Sequence, residues 1–121
     1  IEPSGMADAA RLTRLLEHFP RAIDPKLAAR YQLHKRLSLV DAARYRLLMR
    51  SVRHLVRTSI QVADTIFLNK TDITAEEEMG KIEHDIRALM KRGAELERIS
   101  AKNGLSASIL ERLCASDATR I

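Results

Sequence analysis

One stretch constrains the fold more than any other: Ala63-Asp64-Thr65-Ile66-Phe67-Leu68-Asn69-Lys70-Thr71-Asp72. Its apolar residues, Ile66 to Leu68, run together without polar alternation, which is the pattern of a parallel strand covered on both faces. The run stops abruptly at Asn-Lys-Thr-Asp. Four polar residues therefore fall at the carboxyl end of the strand, where open α/β sheets bind ligands.

The rest of the chain supplies the elements such a sheet needs. Ile1-Glu2 reads as the end of a strand. A helix then follows from Asp8, its N-cap, with Leu12, Leu15, Leu16 and Phe19 on one face and Pro20 at its end. Residues 21–36 read as a loop or short helix, and Leu37-Ser38-Leu39-Val40-Asp41 reads as a second strand ending in a carboxylate. A single helix is expected from Ala42 to Val62, with Leu48, Val52, Leu55, Ser59 and Val62 inward and Arg46, Arg50, Arg53 and Arg57 on the opposite face. Thr74-Ala75-Glu76-Glu77 has the form of a capping box, and Glu76 to Glu78 favour a helix N-terminus electrostatically. Met79, Ile82, Ile86, Leu89 and Met90 would face inward from that helix, and Gly93 would mark its end. Glu95 to Ile99 is a strand candidate, and Ser100-Ala101-Lys102-Asn103-Gly104 leads to a final helix with Leu105, Ile109, Leu110 and Leu113. This alternation predicts an α/β domain with a mostly parallel sheet flanked by helices.

Composition narrows the function classes. A chain of 121 residues holds one small domain with a core, not two. It has no apolar run long enough to cross a membrane and no signal-peptide pattern, so a cytoplasmic location without a membrane partner is expected. The single cysteine, Cys114, excludes an internal disulfide and a cysteine metal cluster; its thiol is expected to be half-buried. His18, His34, His54 and His84 fall on different elements and read as surface residues rather than metal ligands. A net charge of +5 and the arginine stripe from Arg46 to Arg57 would suit a non-enzymatic interaction module that binds an acidic protein or RNA. Aromatics at 3% provide no stacking platform, so nucleic acid is disfavoured and a solvated helix face is the simpler reading of the stripe.

With these segments in view, the chain resembles the CobW family of metallochaperone-type GTPases, within the P-loop class. Three segments carry the likeness: Ile1-Glu2-Pro3-Ser4-Gly5-Met6-Ala7-Asp8, similar to a Glu-x-x-Gly element; Leu37-Ser38-Leu39-Val40-Asp41, similar to a strand ending in Val-Asp; and the Asn69-Lys70-Thr71-Asp72 stretch, similar to the Asn-Lys-x-Asp base-reading motif. The resemblance implies GTP and Mg²⁺ as cofactors. Guanine presents N1–H and an exocyclic amine side by side, and the Asp72 carboxylate would accept from both, at about 1.5–3 kcal/mol per charge-assisted hydrogen bond. Asn69 would tie the loop together and the methylene stem of Lys70 would cover the ring face. Ser100-Ala101-Lys102 is similar to the Ser-Ala-Lys loop that lines the guanine, with a backbone N–H aimed at O6. By the same resemblance Glu2 would hold Mg²⁺ through water, and the Gly5 backbone would approach the γ-phosphate, where a side chain would block access.

The departures from the family pattern matter equally. No Gly-x-x-x-x-Gly-Lys-Ser/Thr occurs in the sequence, and Gly80-Lys81 lies inside a helical pattern without a following hydroxyl. The expectation is a partial P-loop GTPase fold, residues 1–121 being the second half of a GTPase domain without the phosphate-loop strand, the N-terminal half or a C-terminal domain. In the family's strand order the phosphate-loop strand separates the strand ending at Glu2 from the one ending at Asp41. Residues 1–5 are therefore expected to be poorly anchored, the three later strands to form a contiguous half-sheet, and one edge to stay open to a partner. The complete protein would couple GTP hydrolysis to delivery or insertion of a metal ion into a client protein. This chain alone is expected to hydrolyse no GTP, because phosphoryl transfer depends on positioning and charge stabilisation around the phosphates.

Overall fold

The computed structural model describes residues 1–4, 6–30 and 32–115. Three parallel strands, β1 (Leu37–Asp41), β2 (Thr65–Asn69) and β3 (Glu95–Arg98), lie in the order β1-β2-β3. They alternate with helices α1 (Ala9–Ile23), α2 (Pro25–Ala28), α3 (Tyr45–Ser51), α4 (Arg53–Val62), α5 (Glu76–Leu89) and α6 (Ala107–Cys114), and 3₁₀ turns occupy Thr71–Ile73 and Ala101–Asn103. This is the half-sheet expected from the alternating sequence. Residues 1–4 carry no strand; among the described residues β1 pairs only with β2, so the strand expected at Ile1-Glu2 has no neighbour to pair with.

The register places Ser38, Ile66 and Leu96 in one row and Val40, Leu68 and Arg98 in another, on a single face of the sheet. That face carries the core: Val40, Ile66 and Leu68 cluster with Tyr45, Ile60, Met79, Ile82 and Ile86 from α3, α4 and α5. Ile66, Leu68, Ile60, Ile82 and Ile86 are completely buried, each contributing about 1.5–3 kcal/mol relative to exposure. Two of the buried hydroxyls are paired: Ser38 lies 2.6 Å from the Ser59 hydroxyl between β1 and α4, and Thr58 donates to the His54 carbonyl at 2.8 Å, whereas the buried Tyr45 hydroxyl has no partner among the described residues. The opposite face holds Leu37 and Leu39 of β1, Thr65 and Phe67 of β2, and Glu95 and Glu97 of β3. Helix α6 covers its β2 and β3 part, with Arg112 bonded to Glu97 at 2.5 Å. Leu37 and Leu39 remain 53% and 65% exposed, so β1 is the strand whose outer face lacks a cover.

Several local expectations fail for physical reasons. Pro20 does not end α1, which runs on to Ile23; a proline removes one donor from the helical ladder without forbidding helical φ. Helix 42–62 is two helices, interrupted at Val52 (φ −136°, ψ 42°). Tyr45, Thr58 and Ile60 are the buried residues on these helices, whereas Leu48, Val52, Leu55, Ser59 and Val62 line an open groove of about 790 Å³ against α1 and β1. The capping box is not formed. Thr74 Oγ1 donates to the Lys70 carbonyl at 2.9 Å, because the intervening 3₁₀ turn brings that carbonyl beneath it, and α5 starts at Glu76 after an uncapped Ala75. Helix α5 ends at Leu89, four residues before Gly93, whose positive φ of 85° belongs to the turn into β3. Cys114 is exposed, not half-buried. The Asp8 cap does form, accepting from the N–H groups of Ala10 and Arg11 at 3.0 and 3.2 Å.

Candidate functional site

At the carboxyl ends of the three strands, three loops are fastened to one another. Asp41 ends β1, Asn69 ends β2 in register with it, and Ser100 follows β3. Backbone bonds set the spacing: Ala42 N–H donates to the Asn69 carbonyl at 3.1 Å, and Thr71 donates to the Ile99 carbonyl through both its N–H (3.3 Å) and its hydroxyl (3.0 Å). The loops are thus positioned by the sheet before any side chain acts.

Side chains complete the clasp. Asn69 Oδ1 accepts from the Ala101 N–H at 2.9 Å, so Asn69 ties its own loop to the Ser-Ala-Lys loop. That N–H is consequently engaged within the protein. Asp72 Oδ1 accepts from Ser100 Oγ at 2.9 Å, and Asp72 Oδ2 pairs with Lys102 Nζ at 2.8 Å. The Lys102 ammonium first, then the Ser100 hydroxyl, hold the Asp72 carboxyl below its ordinary value of 3.8, so it is ionised at neutral pH. Asn103 Nδ2 donates to Ser100 Oγ at 3.0 Å, orienting that hydroxyl toward Asp72. Lys70 occupies the left-handed region at φ 64° and ψ 36°, the one non-glycine residue to do so among those described.

Six of the residues singled out from the sequence, Asn69, Lys70, Asp72, Ser100, Ala101 and Lys102, therefore meet in one place. An ionised carboxylate held at the surface by exchangeable side-chain donors can accept from a ligand that presents two adjacent N–H groups. Glu2 and Gly5 are not brought into this arrangement. Glu2 is exposed on the irregular segment 1–4, and Gly5 lies outside the described residues. Among the described residues no group of three acidic, histidine or cysteine side chains is placed to hold a metal ion. A magnesium ion in phosphate chemistry takes one or two carboxylates plus phosphate oxygens and water, and the exposed Glu2 is the carboxylate that the resemblance offers for it.

Asp41 was expected as a strand-end carboxylate but not as a partner of Lys70, whose Nζ lies 3.1 Å from Asp41 Oδ2. Only convergence of the two loops reveals it. The arginine stripe is divided by the break at Val52, and Arg46 is drawn into ion pairs with Glu78 (3.0 Å) and Asp85 (2.7 Å) on α5. Arg50, Arg53 and Arg57 stay exposed. The four histidines are exposed, as expected. No helix is long and apolar enough to cross a membrane among the described residues.

A family model described as the CobW/HypB/UreG nucleotide-binding domain matches residues 1–96. The match takes in β1, β2, the Asn69-Lys70-Thr71-Asp72 loop and α5, and ends within β3, ahead of Ser100-Ala101-Lys102. No curated protein and no solved structure matches the chain.

Proposed function

We propose, on the premise that the chain belongs to the CobW/HypB/UreG nucleotide-binding domain family of P-loop GTPases, that it carries the guanine-specificity loops of a GTPase coupling GTP hydrolysis to delivery or insertion of a metal ion. The observation that carries the base-reading part is the clasp of Asp72 by Ser100 and Lys102 beside the Asn69–Ala101 tie. In this reading guanine N1–H and its exocyclic amine replace the two side-chain donors on Asp72. Adenine lacks that donor pair, so the carboxylate would lose its lysine and gain nothing in return. Lys70 contributes its apolar stem to the ring face, and Asn69 keeps both loops at a fixed separation.

The metal-delivery role and a metalloprotein client rest on family resemblance alone. So does the reading of residues 1–121 as the second half of a GTPase domain, with the phosphate loop on a segment that would pair with the open edge of β1. The chain contains no phosphate-loop motif, and no catalytic residue is assigned.

Calorimetric titration of GDP and ADP into the protein tests the base-reading assignment. GDP is expected to bind at least about tenfold more tightly than ADP, and Asp72→Ala is expected to remove the difference, as loss of two charge-assisted bonds requires. Equal affinity for both nucleotides in the unmodified protein would sink the assignment.

A further inference from the structure

Asp41 stands outside the group of residues that face the base in this reading, yet its carboxylate divides its two oxygens in a telling way. Oδ1 accepts from the N–H groups of Ala43 (3.0 Å) and Arg44 (3.3 Å), which fixes the carboxylate against its own turn. Oδ2 is left to face Lys70 Nζ at 3.1 Å. The Arg44 guanidinium is the other charged group nearby, more distant at 3.9 Å and 70% exposed. The carboxylate is the more enclosed member of the lysine pair, with a side chain 22% exposed against 42% for Lys70.

The Lys70 backbone is also fixed. Its carbonyl accepts from Thr74 Oγ1 and from Ile73 N–H, and its left-handed φ of 64° is a conformation that costs any residue with a Cβ. A lysine held at both ends has its stem stretched from the end of β2 toward the end of β1. An exposed lysine held only at its backbone would lose its rotamer freedom each time a ring settled on it.

We propose that Asp41 is a positioning residue for base binding: it anchors the Lys70 ammonium so that the methylene stem forms a preset surface for the purine ring. This rests on the guanine-reading assignment of the same loops and extends it to a residue on β1. The stem touches the ring face, which is common to all purines, whereas Asp72 reads the ring edge. Asp41 therefore governs how tightly a purine is held and leaves the choice among purines to Asp72.

Asp41→Asn keeps an oxygen for the Ala43 and Arg44 N–H groups and removes the charge. It is expected to weaken GDP and IDP in the same proportion, by up to about fivefold, the range of an exposed ion pair. IDP lacks the exocyclic amine, so an unchanged GDP to IDP ratio reports that the Asp72 edge contacts are intact. In a Lys70→Met background, which keeps an apolar stem and the same backbone strain, Asp41→Asn is expected to have no further effect. Asp41→Glu is expected to restore part of the affinity. An equal loss in both backgrounds, or no loss in either, would overturn the proposal, since a purely structural carboxylate acts regardless of Lys70. A second readout needs no nucleotide: the two ε-methylene protons of Lys70 should be inequivalent by NMR and should become equivalent in Asp41→Asn. Equivalent protons in the unmodified protein would overturn the proposal as well. Failure of the guanine assignment shows separately, as equal GDP and ADP affinity in the unmodified protein, and removes this proposal with it.

Discussion

Asp64 precedes β2 and Asp72 follows it, and each carboxylate accepts from a lysine and from a second donor. At Asp64 the second donor is the backbone N–H of Arg36 at 2.8 Å. Lys91, 38% exposed, pairs with Oδ1 at 2.5 Å while also donating to the Val62 carbonyl, and the Asp64 side chain itself is only 10% exposed. At Asp72 both donors are side chains, Ser100 and Lys102, and Lys102 is 71% exposed. A backbone N–H cannot rotate away from its acceptor; an exposed lysine can. The same residue type, at opposite ends of one strand, thus forms a closed structural clasp in one case and an exchangeable contact in the other.

The electrostatics follow the same division. Burial pushes the Asp64 carboxyl up, but the Lys91 hydrogen bond and the Arg36 N–H outweigh it and the net direction is downward. For Asp72 the Lys102 hydrogen bond is the leading cause of a downward shift, with little burial to oppose it. Desolvation makes the Asp64 interactions expensive to break, whereas water can replace the donors at Asp72.

Breaking each clasp separates the two roles. The largest effect is expected at Asp64: Asp64→Ala should cost about 3 kcal/mol of stability in urea unfolding, because it strands Lys91 and a part-buried Arg36 N–H. Asp72→Ala should change stability by no more than about 0.5 kcal/mol while abolishing base preference. Were Asp64→Ala as mild as Asp72→Ala in unfolding, the contrast between the two ends would collapse.

A pH titration sharpens the contrast further. Both carboxyls are depressed in the folded protein, so each contributes most fully above its unfolded value, near 3.8, and its contribution is lost as pH falls through the folded value. Stability should therefore hold from pH 7 to about pH 5 and decline below about pH 4, with Asp64→Asn flattening that decline. GDP preference should be level over the same upper range, because Asp72 remains ionised throughout it. A base preference lost between pH 7 and pH 5 would point to a histidine in the site instead. The smallest effect belongs to Lys102→Met. Removing an exposed ion pair should leave stability unchanged within about 0.5 kcal/mol and raise GDP affinity by about two- to threefold, since Asp72 Oδ2 no longer has to release a lysine.

Much of the fold was legible in the sequence because its signals are local. The unbroken apolar run Ile66 to Leu68, the short strand ending at Asp41 and the alternation with amphipathic helices sufficed for a parallel half-sheet with polar strand ends. Local signals also compete with partners that the sequence does not show. Pro20 marks no stop in α1, and the Thr74-x-x-Glu77 pattern forms no capping box because the Lys70 carbonyl competes for the Thr74 hydroxyl.

The sequence by itself determined which polar groups stand at the carboxyl end of the sheet, because strand periodicity and the abrupt end of an apolar run place them there. Only the tertiary structure decided what each of them touches. Asn69 finds an N–H thirty-two residues away, Lys70 finds Asp41 on a neighbouring strand, and Arg46 leaves the basic stripe for α5. A side chain with several possible partners is committed only when loops from separate strands are brought within about 3 Å of one another, and that distance is set by the register of the sheet rather than by neighbours in the chain.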